Sequence, residues 1–181
     1  PPPLPPPRPA GLEEAAYHTA NRIKRVQGIL GQQIVMENAS YYTPAPGGEM
    51  EEIEFLKAVL TEADCGLLLD VNNIYVNSIN HHYDAEEFLT SLPAERVMYF
   101  HVAGHFNEAE DLIVDTHGAD VIDPVWELLD KAYKIFGVVP TLLERDFHIH
   151  PIPQLPNAVP RIAALLAQWA PQATSTHSAP H

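Results

Sequence analysis

Four side chains able to bind a cation each follow an apolar run in this sequence. Glu37 comes after Ile34, Val35 and Met36, Asp70 after Leu67, Leu68 and Leu69, His101 after Met98, Tyr99 and Phe100, and Glu144 after Leu142 and Leu143. Short apolar runs of this kind read as buried strands, so each strand would finish on a carboxylate or an imidazole. In a parallel sheet all four groups emerge at one end, the end where α/β barrels and doubly wound sheets keep their chemistry. The segment DTHG, Asp115 to Gly118, adds a carboxylate and an imidazole close enough to reach one ion together, and Asn73 offers a carbonyl oxygen near Asp70. Carboxylates crowded at one rim raise one another's pKa, and a cation among them reverses that penalty. Carboxylate and imidazole without thiolate suit iron, manganese or zinc better than calcium or copper(I). For any one acid alone, capping of the following helix or pairing with an arginine competes with this explanation. For the set, a shared metal is favoured.

The remaining histidines divide by context. His105, in HVAGH, is expected in a loop near the mouth of the site; His148 and His150, in RDFHIHP, have ligand-like spacing but are expected to be solvated. His81 and His82 are expected to face water before a helix, and His18, His177 and His181 to lie scattered on the surface. Arg145 and Asp146 are placed to orient Glu144 and its neighbours.

These residues need a framework of alternating helices and strands. Residues 1–11, PPPLPPPRPAG, read as an extended proline-rich linker. Leu12, Ala16, Ile23, Val26 and Leu30 recur at helical spacing up to Gly31. Strands are expected at Gln33–Asn38, Gly66–Val71, Arg96–Val102 and Val138–Arg145. Helices are expected at Met50–Ala63, after an Asp84 N-cap, from Asp123-Pro124 with Asp123 as cap, and near Val159–Trp169. A long polar loop would fill Ala103–Asp120, and residues 170–181 read as a disordered tail. Strands alternating with helices predict an α/β fold with a parallel sheet covered on both faces.

Composition narrows the partners. Twenty-four acidic against ten basic residues give a formal charge of −14 over 181 residues, which argues against nucleic acid or an anionic membrane as partner. No apolar run approaches the roughly 20 residues of a membrane span, and no signal-peptide order opens the chain. Cys65 is the single cysteine, which excludes an internal disulfide framework and makes a cytoplasmic location the expectation.

The segments MENASYY, CGLLLDVNNIYVNSINH, FHVAGH, DTHGADVIDPVWELL and TLLERD, in this order, resemble the multinuclear non-heme iron-dependent oxidative enzymes (MNIO), the family of the methanobactin-biosynthesis oxidase. The resemblance covers about residues 12–168. It implies a TIM (β/α)8 barrel holding two or three irons. The reaction it implies uses dioxygen to remodel cysteine residues of ribosomally made peptides, with a partner protein that binds the peptide leader. Carried over by position, it implies that Glu37 bridges two irons, that Asp70, His101 and Glu144 complete one of those sites, and that Asn73, Asp115 and His117 hold a further iron. It also implies binding of the substrate thiolate by iron and removal of a hydrogen near the sulfur. A full barrel needs about 250 residues, and only its C-terminal half, four strands, is matched; the two further histidines of the family's first half have no counterpart. Half a barrel would leave open sheet edges through which the chain could self-associate. Two alternatives accompany the oxidase: a metal-dependent sugar isomerase or phosphodiesterase of related barrel type, and a non-catalytic half-barrel that associates with another chain.

Overall fold

The computed structural model describes residues 12–43, 51–147, 149 and 158–170. The proline-rich start, the C-terminal tail, Met50, His148, His150, His177 and His181 lie outside them. The order is α1 (Leu12–Leu30), β1 (Val35–Glu37), α2 (Glu52–Ala63), β2 (Gly66–Asp70), α3 (Val71–His81), α4 (Ala85–Ser91), a 3-10 turn (Ala94–Arg96), β3 (Val97–Val102), β4 (Phe106–Ala109), β5 (Leu112–Val114), α5 (Asp123–Phe136), β6 (Thr141–Leu143) and α6 (Ala158–Trp169). Strands β1, β2, β3 and β6 form one sheet in that order, every pair parallel. A sheet whose order follows the chain without reversal is built like a stretch of barrel wall, whereas a doubly wound sheet reverses at its switch point. The fold is α/β, a partial TIM-like barrel.

The strands alternate between a packed face and an open one. Leu67, Leu69, Phe100 and Val102 are fully buried in the core shared with Leu60, Leu89, Leu129 and Tyr133 of the flanking helices. The other face is uncovered among the described residues, with Tyr99 44% and Leu142 56% exposed. The expectation of cover on both faces is therefore corrected: helices pack on one side of this sheet.

Four further expectations change. Val71–His81 forms helix α3 where no helix was expected. The Ala103–Asp120 segment contains an antiparallel hairpin, β4–β5, whose Ile113 backbone N–H and C=O both pair with the side-chain amide of Asn80 at 2.8 and 2.9 Å. In α1 the buried face is Ala16 and Ala20 with Ile23 beside them, while Val26 and Leu30 are exposed. The small alanines let α1 lie close against α2, a contact that the larger side chains would hold apart. At α5 the residue preceding the helix is Ile122, and Asp123 opens its first turn with Pro124 behind it. The Asp84 cap is found as expected, accepting from the backbone N–H of Glu86 and Glu87, each at 2.8 Å.

Candidate metal centre

The sheet register carries the four strand-ending groups to one rim. Asp70 lies beside His101 across β2 and β3, and Glu37 beside Leu68 across β1 and β2. The N–H of Glu144 bonds to Val102 O at 3.0 Å, which carries the β3–β6 ladder one residue past β6. One ligand-capable atom from each of Glu37, Asp70, His101 and Glu144 lies within 4.8 Å of all the others. A second group of the same kind joins His117, Glu144 and Asp146, so Glu144 is common to both.

The polar atoms at this rim crowd against one another with too few hydrogen-bond partners. Among the described residues, six buried side-chain atoms have no hydrogen-bond partner: Asp70 Oδ2, Asn73 Oδ1, His101 Nδ1, His105 Nε2, His117 Nε2 and Glu144 Oε2. His101 Nδ1 is 3.0 Å from Glu144 Oε2, and His117 Nε2 is 2.8 Å from Asp115 Oδ1, yet neither contact has hydrogen-bond geometry. An unsatisfied buried polar atom is costly, and several within a few ångströms are what a cation would satisfy at once. Nitrogen and oxygen donors without sulfur fit iron, manganese or zinc.

Asp70 shows how structure and chemistry share one side chain. Its Oδ1 caps α3 by accepting from the N–H of Asn73 at 2.8 Å, while Oδ2 is left bare. The competing explanation, a helix cap, is thus true of one oxygen and leaves the other available. Asn73 divides its amide in the same way: Nδ2 donates to Asn38 O at 3.0 Å and Oδ1 is unpartnered. The Asn38 side chain pairs with both backbone groups of Asp70, at 2.8 and 3.0 Å, prolonging the β1–β2 ladder through an amide.

Helix α3 is the frame of the site. Its asparagines fasten two segments: Asn73 and Asn77 hold the one after β1, through Asn38 O at 3.0 Å and through Ala39 O and the N–H of Tyr41 at 3.1 Å each, while Asn72, donating to Asp115 Oδ1 at 3.0 Å, and Asn80, on Ile113, hold the hairpin and the residues that follow it. Asp115 also accepts from Ser40 Oγ at 2.9 Å through its other oxygen. His117 sits at φ 48°, a left-handed conformation that turns its ring back towards Asp115 and Glu144. Its Nδ1 lies 3.4 Å from Asp146 Oδ2, and the N–H of Asp146 donates to its carbonyl at 3.0 Å, so Asp146 orients His117 from two sides. Gly104 has no side chain because a Cβ there would stand 2.1 Å from Ala119 O.

All seven residues expected as ligands, Glu37, Asp70, Asn73, His101, Asp115, His117 and Glu144, therefore lie in or directly beside the cluster. Asn38, Ser40 and Asn77 were missed; the signal for Asn38 and Asn77 was the density of asparagine around Asp70. His105, expected in a loop near the mouth, precedes β4 and is 5% exposed, with Nδ1 2.7 Å from Asn72 Oδ1. His81 is corrected: it ends α3, stacks on Tyr41 with ring centroids 3.9 Å apart, and meets Tyr41 O through Nε2 at 2.8 Å.

Burial sets the charge state. It pushes the Asp70 carboxyl up to about 7 and raises Glu37, in each case as the largest cause, with neighbouring carboxylates adding to it. The direct contact with the Asp115 carboxylate, 2.8 Å from Nε2, is the largest cause pushing His117 up to about 9, against the opposing effect of burial, while burial lowers His105. Without a cation the rim holds protons that free carboxylate and imidazole would have shed.

Comparison with known proteins gives one consistent result. A family model described as RiPP precursor modification enzyme MbnB/TglH/ChrH matches residues 6–167. RiPP denotes a ribosomally synthesised and post-translationally modified peptide. The chain is 61% identical over 150 residues to a UPF0276 protein of Shewanella sediminis, covering 83% of this chain and 54% of that one. It is 58% identical over 158 residues to one of Nitrosospira multiformis, covering 87% and 56%, and 54% identical over 153 residues to one of Neisseria meningitidis, covering 83% and 55%. The chain spans about half the length of the curated relatives it matches.

Proposed function

The chain belongs to the family of RiPP precursor modification enzymes MbnB/TglH/ChrH, the MNIO family, and from that premise we propose that its strand-end cluster binds iron for the oxidation of cysteine residues in a ribosomally made precursor peptide. The observation that carries this reading is the set of buried, unpartnered polar atoms, five of six of which belong to residues expected as ligands. Asp70, His101 and Glu144 would hold one ion, Asn73, Asp115 and His117 another, and Glu37 would stand between two. Iron held there would supply redox chemistry with dioxygen and a site for a thiolate.

The chain's own residues supply the rest. Asp70 and Asn73, both buried, keep water from the back of the site. Glu37, with its side chain 39% exposed, faces the open side, from which a peptide would approach. Asp146 holds the His117 ring in place, and Asn72 and Ser40 hold the two oxygens of Asp115. A fixed shell of this kind lets a bound cysteine find its oxidant in one geometry. A leader-binding protein would present the peptide, and the free, buried Cys65 is in keeping with a reducing, cytoplasmic setting. No helix among the described residues is long and apolar enough to cross a membrane.

The test is an oxygen-dependent change in mass of a cysteine-containing precursor peptide incubated with iron-loaded protein. Conversion that persists without oxygen, or on a peptide with cysteine replaced by serine, would contradict the proposal. A second reading, association with another polypeptide across the open sheet face, is favoured by exposed Tyr99 and Leu142. Sedimentation velocity of the protein alone distinguishes self-association from a monomer.

A further inference from the structure

The sixth unpartnered atom, His105 Nε2, belongs to no residue expected as a ligand and to neither metal-capable group. Its surroundings fix its tautomer. Asn72 must turn Nδ2 towards Asp115, because a carboxylate only accepts, and that bond is 3.0 Å. The Asn72 Oδ1 is thereby turned to His105, whose Nδ1 at 2.7 Å must carry the proton. Burial lowers the pKa of the imidazole, and its Nε2 is buried with no hydrogen-bond partner. The ring is further held by stacking on Tyr75, centroids 5.3 Å apart and planes 24° from parallel. Tyr75 and Asn72 sit on successive turns of α3, so one helix grips both the face and the edge of the imidazole.

We propose that His105 is a positioning residue, acting through Asn72 to fix the orientation of Asp115. The chain His105 Nδ1–H to Asn72 Oδ1, and Asn72 Nδ2–H to Asp115 Oδ1, has one direction only. With His105 holding Oδ1 and Asp115 holding Nδ2, the Asn72 amide is anchored at both ends and keeps its donor on Asp115 Oδ1, beside His117 Nε2. Without His105, Asn72 keeps its nitrogen towards the carboxylate but loses the bond that anchors its oxygen, so the side chain can swing and the donor to Asp115 is no longer held in place. The proposal rests on the metal reading of the same site and goes beyond it in assigning a role to a residue that need touch no ion.

Anaerobic iron(II) titration tests it. The binding step lost in Asp115→Ala identifies the ion that Asp115 holds. His105→Phe keeps a ring to stack on Tyr75 but removes the donor, and it is expected to weaken that step by about 10–100-fold, the usual effect of losing an outer-shell partner, while the other step keeps its parent affinity. His105→Asn, which puts an amide nitrogen near the position of Nδ1 and removes the ring, is expected to restore much of the loss. Circular dichroism of each metal-free variant identifies those that fold. Parent-like affinity in His105→Phe, or equal losses in both variants, would overturn the positioning role and leave the metal reading standing. No binding step in the parent would overturn both.

Discussion

His101 Nδ1, on β3, and Glu144 Oε2, one residue past the end of the neighbouring β6, stand 3.0 Å apart, and neither atom makes a hydrogen bond. Two atoms so close, buried and unpaired, gain little from each other and would both gain from a cation between their lone pairs.

Asp70→Asn should separate the two duties of this side chain. The amide oxygen can still accept from the N–H of Asn73, so α3 keeps its cap, but the bare Oδ2 is replaced by a donor that repels a cation. Since burial already disfavours the Asp70 charge, the metal-free variant is expected to melt at a higher temperature than the metal-free parent at neutral pH. Iron(II) affinity is expected to fall sharply. Melting curves with chelator and binding isotherms check the two halves.

The stabilisation conferred by iron should grow with pH. The folded-state pKa of Asp70 is raised from 3.8 to about 7, so its contribution in the chelated protein is full below about pH 4 and lost as pH rises towards 7. That of His117, raised from 6.5 to about 9, is full below about 6.5 and lost as pH rises through 9. Iron must displace both protons. The difference in melting temperature between iron-loaded and chelated protein is therefore expected to widen from about pH 5 to about pH 9. A constant difference would show that these groups do not meet the metal.

Strand ends and the DTHG segment could be found in the sequence because an apolar run followed by one ligand-capable residue, four times over, has a recognisable rhythm. Helix α3 could not. VNNIYVNSINH is rich in asparagine and β-branched residues, which favour helix weakly, and it folds as one because Asp70 caps it and its asparagines bond outward to loops that sequence order does not bring near. The β4–β5 hairpin escaped for a related reason. Phe106 and Leu112 are both exposed, so no alternation marks the strands, and Asn80 from another element satisfies Ile113.

Asn77→Ala tests this frame. It removes the partners of Ala39 O and the Tyr41 N–H and a donor to Glu52 at 3.2 Å. Leaving such groups unpaired should lower stability by about 1–3 kcal/mol. Urea denaturation measures it, and an unchanged midpoint would mean that the loop after β1 is held by other contacts.

The one-sided sheet predicts an asymmetry between two apolar substitutions. Phe100→Ala, on the packed face, should cost about 3–5 kcal/mol, because Phe100 is fully buried against Tyr133 and Phe136. Leu142→Ala, on the open face and 56% exposed, should cost far less. Equal losses in urea denaturation would show that the open face is covered in solution.

Metal content bears most directly on the shared-cation account. Protein purified without oxygen should retain iron on elemental analysis, and Glu37→Ala and His117→Ala should each retain less while keeping the circular dichroism of the parent. Background iron in the parent, or parent-like iron in both variants, would contradict it.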